Sequence, residues 1–231
     1  MRYKENEDIR KADWRDIAVK TSAAMFLKNG IEPVAMTDIA EKCDIGVATL
    51  YRYFGTKAEM VVDAGTVIWK DMMIMFSDIY DSPEYREMKG IEQLDRLLGF
   101  YLSLYSEHAD FMRFVHQFDR YVLDKKISAE SLSEYQKSVL DIYPLFEKAY
   151  KKACKEGDAR KKLPLKQIYL TSTHALMTMS SKFLEGDIIP EDSAEDKTGE
   201  IKQMIDMILY YIKAKPVCTD FKHMKKRPDI S

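Results

Sequence analysis

The sequence predicts an all-α fold: a small N-terminal group of three helices followed by a longer helical region. Three observations point there. Only nine glycines and seven prolines occur among 231 residues, too few for a turn-rich β architecture. Apolar residues recur at helical spacing from the first segment to the last, and no stretch alternates with the period of two that a strand requires. The breaks between segments carry Pro, Gly and Asp, the residues that end or redirect helices.

The first helix is expected from Arg10 to Asn29, with Trp14, Ile17, Ala18, Thr21, Ala24 and Met25 along one stripe and Asn29-Gly30 as its stop. After Pro33, Met36, Ile39, Ala40 and Cys43 fall at i, i+3, i+4 and i+7, which predicts a short second helix. Asp44 and Gly46 tolerate the backbone angles of a sharp turn, and a third helix resumes over Val47 to Phe54. Two short helices joined this closely form a helix-turn-helix unit. A much longer helix starts at Thr56 and carries Val61, Ala64, Ile68, Trp69, Met72, Phe76 and Tyr80 inward until Ser82-Pro83. Further helices are expected over 88–106, 110–125, 129–155, 164–184 and 195–215.

Composition narrows the function. With 46% hydrophobic and 32% charged residues the chain buries a sizeable core. Its start is charged rather than apolar, and no run is long enough to cross a bilayer, so the expectation is a protein without a membrane span. Cys43, Cys154 and Cys218 have no spacing of a metal knuckle or redox pair, which fits a reducing cytoplasm. His116 and His174 belong to no ligand constellation, so neither a metal nor a cofactor is expected. A phosphate loop, a nucleophile elbow and a His-Glu metal helix are all missing from the sequence, which argues against an enzyme. The net charge of −2 means that any nucleic-acid contact must come from a local patch.

Such a patch exists at the start of the third helix. A helix-turn-helix lays its second helix in the major groove, with residues near that helix's start facing bases and neighbours holding phosphates. Val47 and Ala48 are small enough to approach a thymine methyl. Thr49 and Tyr51 offer hydroxyls to phosphate oxygens, and Arg52 forks onto a guanine edge or a phosphate. Leu50 and Phe54 point inward, and Lys57 brings an ammonium to the backbone beside the groove.

The segment "GIEPVAMTDIAEKCDIGVATLYRYFGTKAEMV" resembles the DNA-binding region of TetR-family bacterial transcriptional regulators. The resemblance is carried by Gly30, "DIA" at 38–40, "TLYRYF" at 49–54 and Lys57 ahead of Glu59, and it spans about fifty residues from Trp14 to Val62. It implies an N-terminal three-helix helix-turn-helix domain over 1–58 and a larger helical ligand-binding and dimerisation domain over 59–215; the residues beyond, 216–231, read as a basic C-terminal tail. It also implies a homodimer on a double-stranded DNA operator, released by a small-molecule effector, with Thr37, Val47, Ala48, Thr49, Tyr51, Arg52, Tyr53 and Lys57 as the contacting surface. Two positions depart from the family pattern. Val34-Ala35 replaces the hydroxyl pair that opens the second helix, and the turn reads Asp44-Ile45-Gly46.

The larger domain is read on physical grounds alone. Trp69, Met72, Met73, Phe76, Tyr101, Tyr105, Phe114, Phe118 and His174 are the expected lining of an adaptable pocket for a flat or lipophilic effector. The last two helices are apolar on more than one side and so need partners on more than one side. The residues alone fit an ordinary internal helix pair as well as a dimer seam; with the homodimer that the resemblance implies, the two helices are expected to form half of a four-helix dimer seam through Ala175, Met179, Phe183, Met204, Ile208 and Tyr211.

Overall fold

A computed structural model of the chain describes residues 2–139, 141–186 and 196–214. These residues are helical with no named strand, and the helices are α1 (Arg2–Asn29), α2 (Met36–Lys42), α3 (Val47–Phe54), α4 (Lys57–Tyr80), α5 (Pro83–Glu87), α6 (Gly90–Glu107), α7 (Ala109–Lys125), α8 (Ser133–Ser138), α9 (Tyr143–Glu156), α10 (Leu165–Glu185) and α11 (Lys197–Ile212). They group into two compact units, Met1–Pro83 with Ser103–Asp141, and Glu84–Leu102 with Ile142–Ser231. The boundary expected at 58–59 falls in the first turn of α4, inside the first unit.

In the first unit α1 packs on α2, α4 and α7, and α4 packs on α3, α7 and α8. The buried stripe of α1 is Ala18, Val19, Ser22, Ala23 and Phe26, whereas Trp14 and Ile17 stay 38% and 46% exposed. The expected stripe is therefore displaced by about one residue. Helical periodicity locates a stripe only to within the width of a face, and α1 mixes apolar and charged residues around its whole circumference. Farther along, Gly65 lets α4 approach closely: a Cβ there would lie 3.0 Å from the rings of both Phe118 and Tyr135. Those rings stack at 4.1 Å. The Tyr135 hydroxyl accepts from Trp69 Nε1 at 2.9 Å, and burial pushes its pKa up to about 12.

The helix expected over 129–155 is two helices, α8 and α9. Pro144 sits in the first turn of α9. There its missing N–H has no helical partner to lose, whereas inside a continuous helix it would break the ladder. In the second unit Gly90 begins α6 against the backbone of α9, where a Cβ would meet Ala153 N at 2.1 Å. Helix α10 buries Ser172, Leu176 and Ser180, and α11 buries Ile201, Ile205, Leu209 and Ile212. The end of α11 is fastened to residues 158–160. Arg160 N donates to Ile212 O at 2.9 Å, Ala214 N donates to Asp158 O at 2.8 Å, and the Arg160 guanidinium lies 4.3 Å from the Tyr211 ring centroid.

Candidate nucleic-acid interface

Helix α2 begins without a side-chain acceptor at Ala35, and Asp38 supplies the reciprocal half of a capping box by accepting from Ala35 N at 2.8 Å. The lost hydroxyl is thus offset by a carboxylate at the positive end of the helix dipole. At the other end of α2 the chain turns through a Schellman motif: Ile45 N donates to Ala40 O at 3.0 Å and Asp44 N to Glu41 O at 3.1 Å. Asp44, not Gly46, takes the left-handed conformation, with φ of 54°. Gly46 is the extended N-cap of α3, at φ −68° and ψ 137°. An aspartate suits the left-handed position because its short polar side chain tolerates it better than a branched one.

Helix α3 divides cleanly. Leu50 and Phe54, one turn apart, are 0% and 3% exposed and anchor it to the unit's core. Ala48, Tyr51 and Arg52 are exposed, and Val47, Thr49 and Tyr53 are half-buried. The Arg52 guanidinium lies 5.6 Å from the Tyr53 ring centroid, which stiffens a long side chain on the exposed face. Thr37 is exposed on α2. Every residue nominated for DNA contact thus keeps at least part of its surface open, while the two assigned inward are buried.

The helix ends abruptly. Gly55 is left-handed at φ 64°, and a Cβ there would fall 2.3 Å from Glu59 Oε2. Glu59 occupies that space because it caps α4, accepting from Thr56 N at 2.9 Å. Arg15 of α1 braces the same corner, its guanidinium 5.1 Å from the Phe54 ring centroid and paired with Asp63. Lys57 Nζ donates to the Glu32 carbonyl at 3.1 Å. Burial and the nearby Lys125 charge lower its pKa, against the pull of Glu32 and Asp38. An ammonium has three donors, so two remain for a phosphate. Sequence reasoning missed Arg15, Glu32, Gln117 and Lys125 as supports of this surface. Their partners lie up to 86 positions away, and no local pattern encodes such pairings.

Residues 18–64 match the family model described as bacterial regulatory proteins, tetR family. The N-terminal domain belongs to the TetR family. The match spans the second half of α1, all of the helix-turn-helix and the first two turns of α4. No curated protein sequence is a significant match. Among solved structures, a TetR-family transcriptional regulator from Rhodococcus sp. is similar with a TM-score of 0.62 at 18% identity, covering 85% of this chain and 99% of that one. A transcriptional regulator from Saccharomonospora viridis in complex with choline gives 0.64 at 15% identity, covering 88% and 100%. The regulator FadR from Bacillus subtilis in complex with stearoyl-CoA gives 0.54 at 12% identity, covering 84% and 97%. At such identities the likeness establishes a shared TetR-like fold over most of the chain. The TetR family and these structural neighbours are transcriptional regulators, not enzymes. The matched segment contains the whole of α2 and α3.

The residues nominated for an effector pocket are distributed over both units. In the first, Met72, Phe76, Phe114 and Phe118 are buried and Trp69, Met73 and Tyr105 are half-buried. Trp69 meets Phe111 edge-on at 4.9 Å. In the second, Tyr101 is buried with its hydroxyl 3.1 Å from Thr173 Oγ1, and His174 is exposed. Burial, before any neighbouring group, pushes the Tyr101 pKa upward. The residues nominated for a dimer seam lie together in the second unit. Ala175, Met204, Ile208 and Tyr211 line one groove of about 430 Å³ between α10 and α11, with Met179 and Phe183 half-buried farther along α10. Among the described residues no group of three metal-ligating side chains occurs, and no helix is long and apolar enough to cross a membrane. Cys218 and the basic tail at 216–231 lie outside the described residues.

Proposed function

We propose that the protein is a cytoplasmic homodimeric repressor that leaves its operator when a small lipophilic or aromatic effector binds. The observation that carries the DNA-facing half is the division of α3, with Leu50 and Phe54 buried and Ala48, Tyr51 and Arg52 presented outward. Thr37, Val47, Thr49, Tyr53 and Lys57 complete the proposed contact surface. Between Met36 and Lys57 three basic residues stand against three acidic ones. Recognition therefore relies on hydroxyls, backbone N–H groups and the placement of two cations more than on bulk positive charge.

The dimer is supported by the outer face of α11. Met207 and Tyr211, which line the α10–α11 groove, are 59% and 49% exposed, and Tyr210 of the same helix is 50% exposed, so a second copy has apolar surface to cover. Two α3 helices related by a twofold axis can occupy successive major grooves only when they stand about 34 to 36 Å apart, one DNA turn. The effector reading draws support from the two similar regulators solved with stearoyl-CoA and with choline, and from the aromatic and Met-rich helices α4 and α7. Release requires that the effector bind the DNA-free arrangement more tightly than the DNA-bound one.

Gel-shift titration against the protein's own upstream region, at rising salt, tests this reading. A retarded band whose affinity falls with salt, and which a lipophilic or aromatic compound abolishes, is the expected result. A protein that shifts no duplex under any salt condition contradicts it.

A further inference from the structure

The turn at residues 30–33 leads from α1 into the reading helices, and three side chains from later in the chain reach it. Gln117 of α7 accepts from Ile31 N at 3.0 Å. Lys125 of α7 lies 3.7 Å from Glu32 Oε1, and Lys57 of α4 donates to Glu32 O. Gln117, Tyr121 and Lys125 are spaced i, i+4 and i+8, so one face of α7 addresses the turn. Gly30 makes the approach possible: it sits at φ 85°, and a Cβ there would be 2.9 Å from Gln117 Oε1. Between the turn and α7 lies a cavity of about 240 Å³, bordered by Ile31, Pro33, Gln117 and Tyr121.

The three bridges are unequal. The Lys125–Glu32 pair is exposed on both sides and screened by salt. The Gln117 bond instead fixes a backbone N–H of a residue that is 1% exposed, where an unmade bond is costly. We propose that Gln117 is a positioning residue for DNA recognition. By holding Ile31 N–H it fixes where the chain enters α2, and through α2 the placement of Thr37 and α3. The reader then depends on a residue outside the segment 18–64 that the family match covers. This inference rests on the DNA-binding reading above.

The test compares Gln117→Leu and Gln117→Glu with the unaltered full chain on a duplex that the unaltered protein recovers from a random-sequence library. Leucine removes the acceptor, whereas glutamate keeps it and places negative charge where a direct phosphate contact would be repelled. Gln117→Leu should bind about three- to tenfold more weakly with an unchanged salt slope, and its Ile31 amide should exchange faster. Gln117→Glu should bind within about twofold of the unaltered protein and keep the Ile31 amide protected. Unchanged binding by Gln117→Leu overturns the proposal, as does a Gln117→Glu variant that protects Ile31 yet binds as weakly as leucine. Failure of the unaltered protein to recover any duplex overturns the DNA-binding reading itself, which is a separate outcome.

Discussion

Thr56 and Glu59 cap the same helix for each other: Thr56 Oγ1 accepts from Glu59 N at 3.1 Å, and Glu59 Oε2 accepts from Thr56 N at 2.9 Å. This exchange starts α4 one residue after the reading helix has stopped at Gly55. Replacing Thr56 with Ala removes the acceptor and is expected to cost about 1 kcal/mol, with Thr56→Ser nearly neutral. Urea denaturation of the three proteins measures this.

Gly90 is expected to be among the least tolerant positions in the second unit. A Cβ there would lie 2.1 Å from Ala153 N and 2.7 Å from Ala149 O, and backbone atoms of a packed helix have nowhere to go. Gly90→Ala should destabilise by about 3 kcal/mol, the top of the usual overpacking range, despite the better helix propensity of alanine. The thermal midpoint of the variant reports it, and an unchanged midpoint would mean that α6 and α9 are not in contact there.

Asp63 gives a pH signature. Burial raises its carboxyl pKa above the ordinary 3.8, while the Arg15 guanidinium pulls the other way. A carboxyl raised in the fold holds its proton more tightly there than in the unfolded chain. From this group alone, stability therefore falls as pH rises from 3.8 through the folded value. Arg15→Gln should raise the Asp63 pKa further and widen that window. Carboxyl carbon shifts of Asp63, titrated in both proteins, show whether it does.

Local chemistry explains which parts of this fold were legible in the sequence. Thr56, Glu59 and Pro83 are signals read within a few residues, so the bounds of α4 were predictable. Leu50 and Phe54 stand one turn apart with hydroxyls and a cation between them, so the sidedness of α3 was predictable as well. The break between α8 and α9 was signalled by Pro144 but masked by apolar spacing that runs on through it. Asp44 and Gly46 both suit a sharp turn by residue type; a Schellman closure needs the left-handed residue directly after the C-cap, and Asp44 holds that place. The bridges from Gln117 and Lys125 to residues 31 and 32 could not be read from sequence, because a helix face and a turn so far apart share no pattern.

The outer face of α11 predicts assembly. Met207 is 59% exposed and borders the α10–α11 groove, so an aspartate there burdens a dimer seam without disturbing a folded protomer. Met207→Asp should sediment as a monomer where the unaltered protein sediments as a dimer, with the same helical content by circular dichroism. An unaltered protein that sediments as a monomer at micromolar concentration contradicts the proposed seam.

DNA recognition by α3 is tested most directly by fluorescence anisotropy on a duplex recovered from a random-sequence library, comparing the unaltered protein with Tyr51→Ala combined with Lys57→Ala. Removal of a hydroxyl and an ammonium from the exposed edge should weaken binding at least about tenfold and make the salt dependence shallower, with the circular dichroism unchanged. Binding by the double variant with unaltered affinity and salt slope would contradict the account.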